Sequence, residues 1–370
     1  MNIALFIPDL AGGGAQHMIV NMANEFARRG NKVDLILIQQ DGAYKKIIKP
    51  NVNIICLNQN RTIQALPKLI SYLKNSQPDI FLSAMYHVNL VAILAKLMTP
   101  GITTRFVITE RNFFSLKIKD SNQMRDKFLP LLVRMLYRFA DEIVAISKGV
   151  AQDISMIAKL HPNKVKCIYN PVITSKTLAA LNENNIESPL APQSDKVIIA
   201  SGRLVPQKDY ITLLHAFSKL LQKENATLII LGEGDLRSDL EKLTDELKIS
   251  NKVSFKGFVD NPLSYMKKAD LFVLSSQWEG FGNVLVEALI CGLPIVSTDC
   301  PAGPSEILEG GKYGTLVEVG NVDALAQAMK DKLHANHHPE TQTKRALCFS
   351  VEKICDQYEE LFLNTIGRTA

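Results

Sequence analysis

Apolar and polar positions alternate in blocks along nearly the whole chain. Short, almost continuously apolar runs are separated by longer segments with helical period. In the first half the runs are Asn2–Ile7, Lys32–Gln39, Val52–Leu57, Asp79–Ser83, Arg105–Thr109, Glu142–Ile146 and Val165–Ile168, and Ala15–Arg29 reads as the first helix. A strand covered on both faces has no polar side to show, so such runs predict parallel strands with helices packed above and below. The pattern breaks at Asn182–Asp195, a polar stretch with two prolines and no apolar period. It then restarts, with strands expected at Lys196–Ser201, Thr227–Leu231, Lys252–Lys256, Asp270–Leu274, Pro294–Ser297 and Gly314–Val317. Helices are expected at Tyr210–Leu221, Leu236–Leu247, Val284–Cys291 and Val322–Lys332, with one or two more over Glu340–Leu363. The fold class is therefore α/β with two doubly wound, Rossmann-like domains, residues 1–185 and 195–340, and a helical segment at 341–370.

Composition narrows the class without choosing a chemistry. A chain of 370 residues is long enough for two domains, and its 46% hydrophobic and 21% charged residues are ordinary for a globular enzyme. The net charge of +5 is too mild for a nucleic-acid partner. No apolar run reaches the roughly 18–20 residues of a membrane span, and nothing before Asn2 resembles a signal peptide, so a cytoplasmic location is expected. The six cysteines show neither CxxC pairing nor metal-ligand spacing and read as reduced packing residues.

Candidate chemistry gathers where strands end. Asp9-Leu10-Ala11-Gly12-Gly13-Gly14-Ala15-Gln16 follows the first strand. Its glycines let backbone amides approach a ligand at a helix N-terminus, although a tight strand–helix turn would read the same. Ser201-Gly202-Arg203-Leu204-Val205-Pro206-Gln207-Lys208 follows the first strand of the second half. There Arg203 offers a planar fork and Lys208 a point charge to a diphosphate, the alternative being a solvated loop. Gly232-Glu233-Gly234-Asp235-Leu236-Arg237 reads as a turn, with Asp235 as a helix cap. The most specific stretch is Trp278-Glu279-Gly280-Phe281-Gly282-Asn283-Val284-Leu285-Val286-Glu287-Ala288-Leu289. Glu279 lies on a glycine-flanked loop and Glu287 inside an otherwise apolar helix. A carboxylate there needs a partner, and a ribose diol supplies two hydroxyl donors.

The Glu-x7-Glu pair, the Gly-Arg-Leu loop with its lysine, the early glycine turn and their order together resemble the retaining glycosyltransferases of family four. The similarity extends over essentially the whole chain and is most specific over Ser275–Leu308. It implies the GT-B architecture: two facing Rossmann-like domains with a central cleft, the first binding acceptor, the second binding nucleotide sugar, and the C-terminal helix packing back on the first. It also implies roles. Arg203 and Lys208 neutralise the donor diphosphate, Glu279 contacts donor-sugar hydroxyls, and Glu287 holds the ribose. The amides of Phe281, Gly282 and Asn283 meet sugar or phosphate oxygens, Gly13 and Gly14 approach the diphosphate, and Phe258 within Lys256–Val259 lines the base. One position departs from the family pattern. Arg111 stands where many relatives carry a histidine near the donor sugar, and an arginine is no general base. His87 is a candidate substitute, and a cap or surface residue would look the same.

The expected activity is retaining transfer of a hexose or N-acetylhexosamine from a nucleotide sugar, UDP on family habit, to a glycan acceptor in surface polysaccharide or glycan assembly. Cations and a helix N-terminus stabilise the leaving diphosphate as the ring gains oxocarbenium character. No acidic cluster is placed to hold a metal, so neither metal nor cofactor is expected. A non-catalytic nucleotide-sugar sensor and a transferase for a soluble acceptor stand as alternatives. A phosphorylase would want a pyridoxal lysine motif that is missing here. Between Phe113 and Phe139, Lys117, Lys119, Arg125, Lys127, Arg134 and Arg138 interleave with apolar residues. A packed helix with a solvated basic face would give this pattern. So would a surface that meets anionic lipid and a lipid-diphosphate acceptor, with Phe113 or Phe114 inserting. His87, Arg111, Lys117 and Lys119 are the acceptor candidates, and any membrane attachment would be peripheral, on the cytoplasmic face.

Overall fold

The computed structural model describes residues 1–11, 13–39, 42–119, 128–182, 192 and 195–367. It divides into two compact units, Met1–Pro171 with Val351–Ala370, and Val172–Ser350. The first contains β1 (Asn2–Ile7), β2 (Lys32–Leu37), β3 (Val52–Cys56), β4 (Ile80–Ala84), β5 (Arg105–Glu110), β6 (Glu142–Ala145) and β7 (Val165–Cys167). Its helices are α1 (Gly14–Arg28), α2 (Leu66–Ser76), α3 (Tyr86–Leu97), α4 (Phe114–Lys119), α5 (Leu129–Leu136) and α6 (Lys148–Ala158). The second contains α7 (Ser175–Ala180), β8 (Lys196–Ser201), α8 (Tyr210–Leu220), β9 (Ala226–Leu231), α9 (Arg237–Glu246), β10 (Val253–Gly257) and α10 (Pro262–Met266). It continues with β11 (Leu271–Leu274), α11 (Asn283–Ile290), β12 (Ile295–Thr298), α12 (Pro304–Ile307), β13 (Thr315–Val317), α13 (Val322–His334) and α14 (Pro339–Ala346). The last helix, α15 (Val351–Gly367), belongs to the first unit.

Each unit is a parallel sheet, ordered β3-β2-β1-β4-β5-β6-β7 in the first and β10-β9-β8-β11-β12-β13 in the second. The central strands are buried along almost their whole length, as their apolar runs require: β4, β9, β11 and β12 have no exposed position. The order reverses between β1 and β4 and between β8 and β11. Crevices at the carboxyl ends of strands form at such switch points. The glycine turn follows β1, Met85–His87 follows β4, the Arg203–Lys208 loop follows β8, and the Glu279 loop follows β11. The fold thus brings each chemical motif to the end of a central strand.

The domain boundaries differ from the expected ones. The units part at Pro171 and Val172, upstream of the polar stretch, whose residues 183–191, 193 and 194 lie outside the described residues. The amides of Val172 and Ile173 both donate to the Phe349 carbonyl, and Ile173 bridges Ser350, so the chain is already tied into the second unit there. The expected 341–370 segment is split for the same kind of reason. α14 stays with the second unit, where Arg345 donates to the Ile307 and Glu306 carbonyls at 2.8 Å. Only α15 returns to the first. Its Tyr358 and Phe362 are buried in the core with Phe26 of α1. Arg29 binds Glu25, Asp356 and Glu359 at 2.7 Å each. Glu25 is nearly buried, so these charge-assisted bonds offset the cost of taking its charge out of water.

Candidate functional site

In the second unit, backbone packing shapes the loop after β8. A Cβ on Gly232 would lie 2.1 Å from the Gly202 carbonyl oxygen, and one on Gly234 would lie 2.4 Å from that of Leu204. Only glycine allows this approach. The Gly-Glu-Gly turn therefore buttresses the Arg203 loop: the Leu204 amide donates to the Glu233 carbonyl at 2.9 Å. Asp235 does not cap α9, which has no side-chain cap. Its Arg237 instead reaches back to Glu233 and forward to Glu241. Asp209, in the left-handed region at φ 46°, caps α8 through the Thr212 amide at 3.2 Å and so fixes the direction in which Lys208 leaves the chain.

Lys208 is turned inward. Its Nζ lies 2.5 Å from Glu279 Oε1, with the two side chains 13% and 7% exposed. The Ser276 hydroxyl donates to the same oxygen at 2.7 Å. The two loops are stitched further by Ser275 Oγ to the Lys208 carbonyl and by Gln207 Nε2 to the Trp278 carbonyl, each at 2.8 Å. Arg203 is exposed and makes no ion pair among the described residues.

Beyond Glu279 the chain enters α11. Gly282 stands at its N-cap with φ 96°, and no side chain caps the helix. The positive end of the helix dipole faces this loop, and the Leu285 amide donates to the Gly282 carbonyl at 2.9 Å. Phe281 is fixed against the ring of Phe349, with centroids 5.5 Å apart. A Cβ on Gly303 would lie 1.8 Å from the Phe281 carbonyl oxygen, so Gly303 is required there. One helical turn beyond Asn283, burial pushes the Glu287 carboxyl up to about 7. The Cys291 and Cys300 thiols are raised to about 12, by burial first and then by Glu287 and Glu279 respectively, which leaves both thiols protonated and inert. Phe258 stands at the carboxyl end of β10 with 78% of its surface exposed, an aromatic face with nothing over it.

In the first unit α1 starts at Gly14, and Gly13 at its N-cap leaves the first turn without a side-chain cap. The Asp9 carboxylate folds the preceding turn, accepting from the Ala11 amide at 2.9 Å and Gln16 Nε2 at 3.1 Å. After β4, Met85 adopts φ 79°, a strained conformation for a non-glycine residue at a strand end. Tyr86 and His87 follow, their rings edge-on at 5.1 Å. At the end of β5, Glu110 is buried and accepts from Tyr137 Oη and from Asn89 Nδ2. Arg111 is buried beside it, and burial lowers its pKa from the ordinary arginine value. Among the described residues no cluster of three or more His, Cys, Asp or Glu could hold a metal ion.

Two family models cover most of the chain: Glycosyltransferase Family 4 over residues 12–176 and Glycosyl transferases group 1 over residues 182–347. A Campylobacter jejuni protein is 31% identical over 95% of this chain and 96% of its own length. It is named N-acetylgalactosamine-N,N'-diacetylbacillosaminyl-diphospho-undecaprenol 4-alpha-N-acetylgalactosaminyltransferase. The chain is a family 4 glycosyltransferase. A lipopolysaccharide core biosynthesis glycosyltransferase of Rhizobium meliloti, LpsE, is 26% identical over 94% of this chain and 95% of its own length. In fold, the glycosyltransferase matches Anabaena HepE, solved in complex with UDP, with a TM-score of 0.77 at 21% identity over 98% of this chain and all of the other. That likeness places both units in the GT-B fold.

Within this glycosyltransferase, Arg203, Lys208, Glu279, Phe281, Gly282, Asn283 and Glu287 all lie at the β8–β11 end of one sheet. Three sequence expectations need correction. Lys208 is not a solvent-facing cation but half of a buried pair, because Glu279 and Ser276 converge on it. Phe114 cannot insert into a membrane: it is 1% exposed, and its amide is held by Asp153 at 2.6 Å. Arg111 presents no surface to an acceptor as it stands. The side chains of Lys117 and Lys119 fall outside the described residues, as do residues 120–127. The sequence reading also missed Ser276 and the Asn89–Glu110–Tyr137 group. A polar residue in a fully apolar strand context, such as Glu110, was the available signal.

The stretch 128–139 resolves into two faces. Leu129, Val133 and Tyr137 point inward, whereas Phe128, Leu131, Leu132, Met135 and Phe139 are between 40% and 62% exposed. The spacing puts these apolar residues on one stripe of α5 and the turn that follows it. Arg134 and Arg138 are exposed beside the stripe, and no acidic residue occurs between 128 and 139.

Proposed function

We propose that the protein is a retaining, metal-independent glycosyltransferase. It would move a hexose or N-acetylhexosamine from a UDP-linked donor to a lipid-diphosphate-linked glycan, on the cytoplasmic face of a membrane. The observation that carries the donor half is the convergence of Lys208, Glu279 and the uncapped start of α11 at the β8–β11 switch point. Departure of a diphosphate needs positive charge where negative charge develops; Lys208 and the positive end of α11 support that role, while Glu279 holds Lys208 in place. Arg203 and Lys208 supply the cations that a metal would otherwise provide. HepE was solved with UDP, and the Campylobacter relative is named for a diphospho-undecaprenol acceptor, which supports both substrate classes.

The test is release of nucleotide from a panel of nucleotide sugars, with and without excess EDTA, followed by NMR of the first-formed product. Turnover with a UDP sugar that survives chelation and keeps the anomeric configuration is expected. Loss of activity on chelation with recovery on Mg²⁺, an inverted product, or binding without turnover would each overturn the corresponding part.

A membrane-anchored acceptor also accounts for the α5 stripe. Exposed apolar side chains flanked by arginines suit the boundary of an anionic leaflet, where each basic residue contributes about 1 kcal/mol. Among the described residues no helix is long and apolar enough to cross a membrane. The protein is expected to co-sediment with phosphatidylglycerol-containing liposomes at low salt. The double substitution Leu132→Glu and Met135→Glu should release it while hydrolysis of the soluble donor continues unchanged. Wild-type protein that ignores such liposomes would point to a soluble acceptor.

A further inference from the structure

Arg111 is 94% buried in unit one, yet among the described residues no carboxylate bonds its guanidinium. Nη1 meets Met18 Sδ at 3.0 Å and Asn170 Oδ1 at 3.2 Å, both uncharged acceptors. Nε and Nη2 have no hydrogen-bond partner. The neighbouring carboxylate, Glu110, accepts instead from Tyr137 and Asn89. Tyr358 of α15 is the other titratable group near it, neutral and with its pKa raised to about 12 by burial. A guanidinium with five donors is a costly choice for a core position that satisfies so few of them, because a neutral side chain of similar volume would pack there without orphaned donors.

Its place in the fold gives it a use. Arg111 follows β5, next to the β1–β4 switch point in the sheet order. Met18 lies in the second turn of α1, and a helical methionine leans back over the preceding turn. Arg111 therefore lies against the second turn of α1, covered by Met18. That cover is a thioether with three rotatable bonds, the side chain best able to move aside. The buried side of the element that bears the apolar stripe is joined to this strand end too, through Tyr137 and Glu110.

We propose that Arg111 is an anion-binding residue that takes a phosphate oxygen of a diphosphate-bearing substrate, with Met18 as its movable cover. The assignment of that phosphate to a substrate rests on the transferase reading above; the site itself does not. Arg111 is a binding residue here, in place of the base that a histidine at this position would supply.

Labelling of the whole protein with phenylglyoxal, read by peptide mass spectrometry, tests the site without reference to turnover. Arg111 should label slowly in the wild type and at least 10-fold faster in Met18→Ala, and inorganic pyrophosphate should protect it in both. Exposed Arg61 serves as the unprotected reference. Kinetics then assign the oxygen. Arg111→Met should raise KM for a diphosphate-linked acceptor about 10-fold or more, as for a lost charge-assisted hydrogen bond, with Arg111→Lys between the two. An equal loss of UDP affinity instead assigns the oxygen to the donor. Absence of pyrophosphate protection in both proteins overturns the proposal, and so does an Arg111→Met enzyme with KM for acceptor and Ki for UDP both within 2-fold of wild type. Protection without turnover on any donor would sink the transferase reading and leave the anion site standing.

Discussion

Replacing Lys208 with methionine is expected to lower kcat by about 10²–10³, the usual cost of losing one preorganised contact to developing charge. The same substitution should also destabilise the protein. Glu279 is 7% exposed, and without Lys208 its carboxylate keeps only the Ser276 hydroxyl among its side-chain partners. Breaking a buried pair from one side costs about 3 kcal/mol, or roughly 6–12 °C in Tm for a unit of this size. The two losses separate in the double variant Lys208→Met with Glu279→Gln. A neutral pair of similar volume restores most of the lost stability, because neither buried charge is left unpaired. It is expected to restore no catalysis, because the cation proposed to meet the diphosphate and the carboxylate proposed to meet the donor sugar are both gone. Thermal melts and initial rates on the two single variants and the double variant check this. A Lys208→Met enzyme with wild-type kcat, or a double variant that regains it, would remove Lys208 from the reaction and leave the pair a structural feature.

UDP binding is expected to tighten as pH rises through about 7, and Glu287→Gln should abolish that dependence. Burial raises the Glu287 carboxyl from its ordinary 4.5 to about 7, so the folded protein holds a proton that the unfolded chain gives up more readily. The sign follows: the stabilising contribution is complete below about 4.5 and is lost as pH climbs through about 7. Wild-type Tm should therefore fall between pH 5 and pH 8 more than that of Glu287→Gln. Ligand binding runs the other way. Only the ionised carboxylate accepts from both ribose hydroxyls, at the strength of charge-assisted bonds. Glu287→Gln should weaken UDP about 10²-fold at pH 8 and much less at pH 6, as calorimetry at the two pH values can show. An unchanged UDP Kd at pH 8 in the variant would place the ribose elsewhere.

Much of this was legible along the chain. Every expected strand forms, within two residues at its ends, because parallel strands covered on both faces leave a short apolar run bounded by polar or turn residues. α11 was equally plain, with Glu279 and Glu287 on either side of its start. The stretch 128–139 was not, since it is apolar on several sides. Which of its residues face in became visible only when Tyr137 met Glu110.

By itself the sequence determined two doubly wound units, the strand ends where chemistry collects, and the family-specific order of Arg203, Lys208, Glu279 and Glu287. These are consequences of local period and spacing, which each segment carries alone. Tertiary structure decided the rest. It paired Lys208 with Glu279 across 71 positions, moved the unit boundary to Pro171, and returned α15 to the first unit through Arg29. It also left Arg111 buried with two unpartnered guanidinium nitrogens beneath Met18. Partners far apart in sequence leave no periodic trace. Whether a charge is paired, exposed or stranded depends on which distant residues the completed sheets bring beside it.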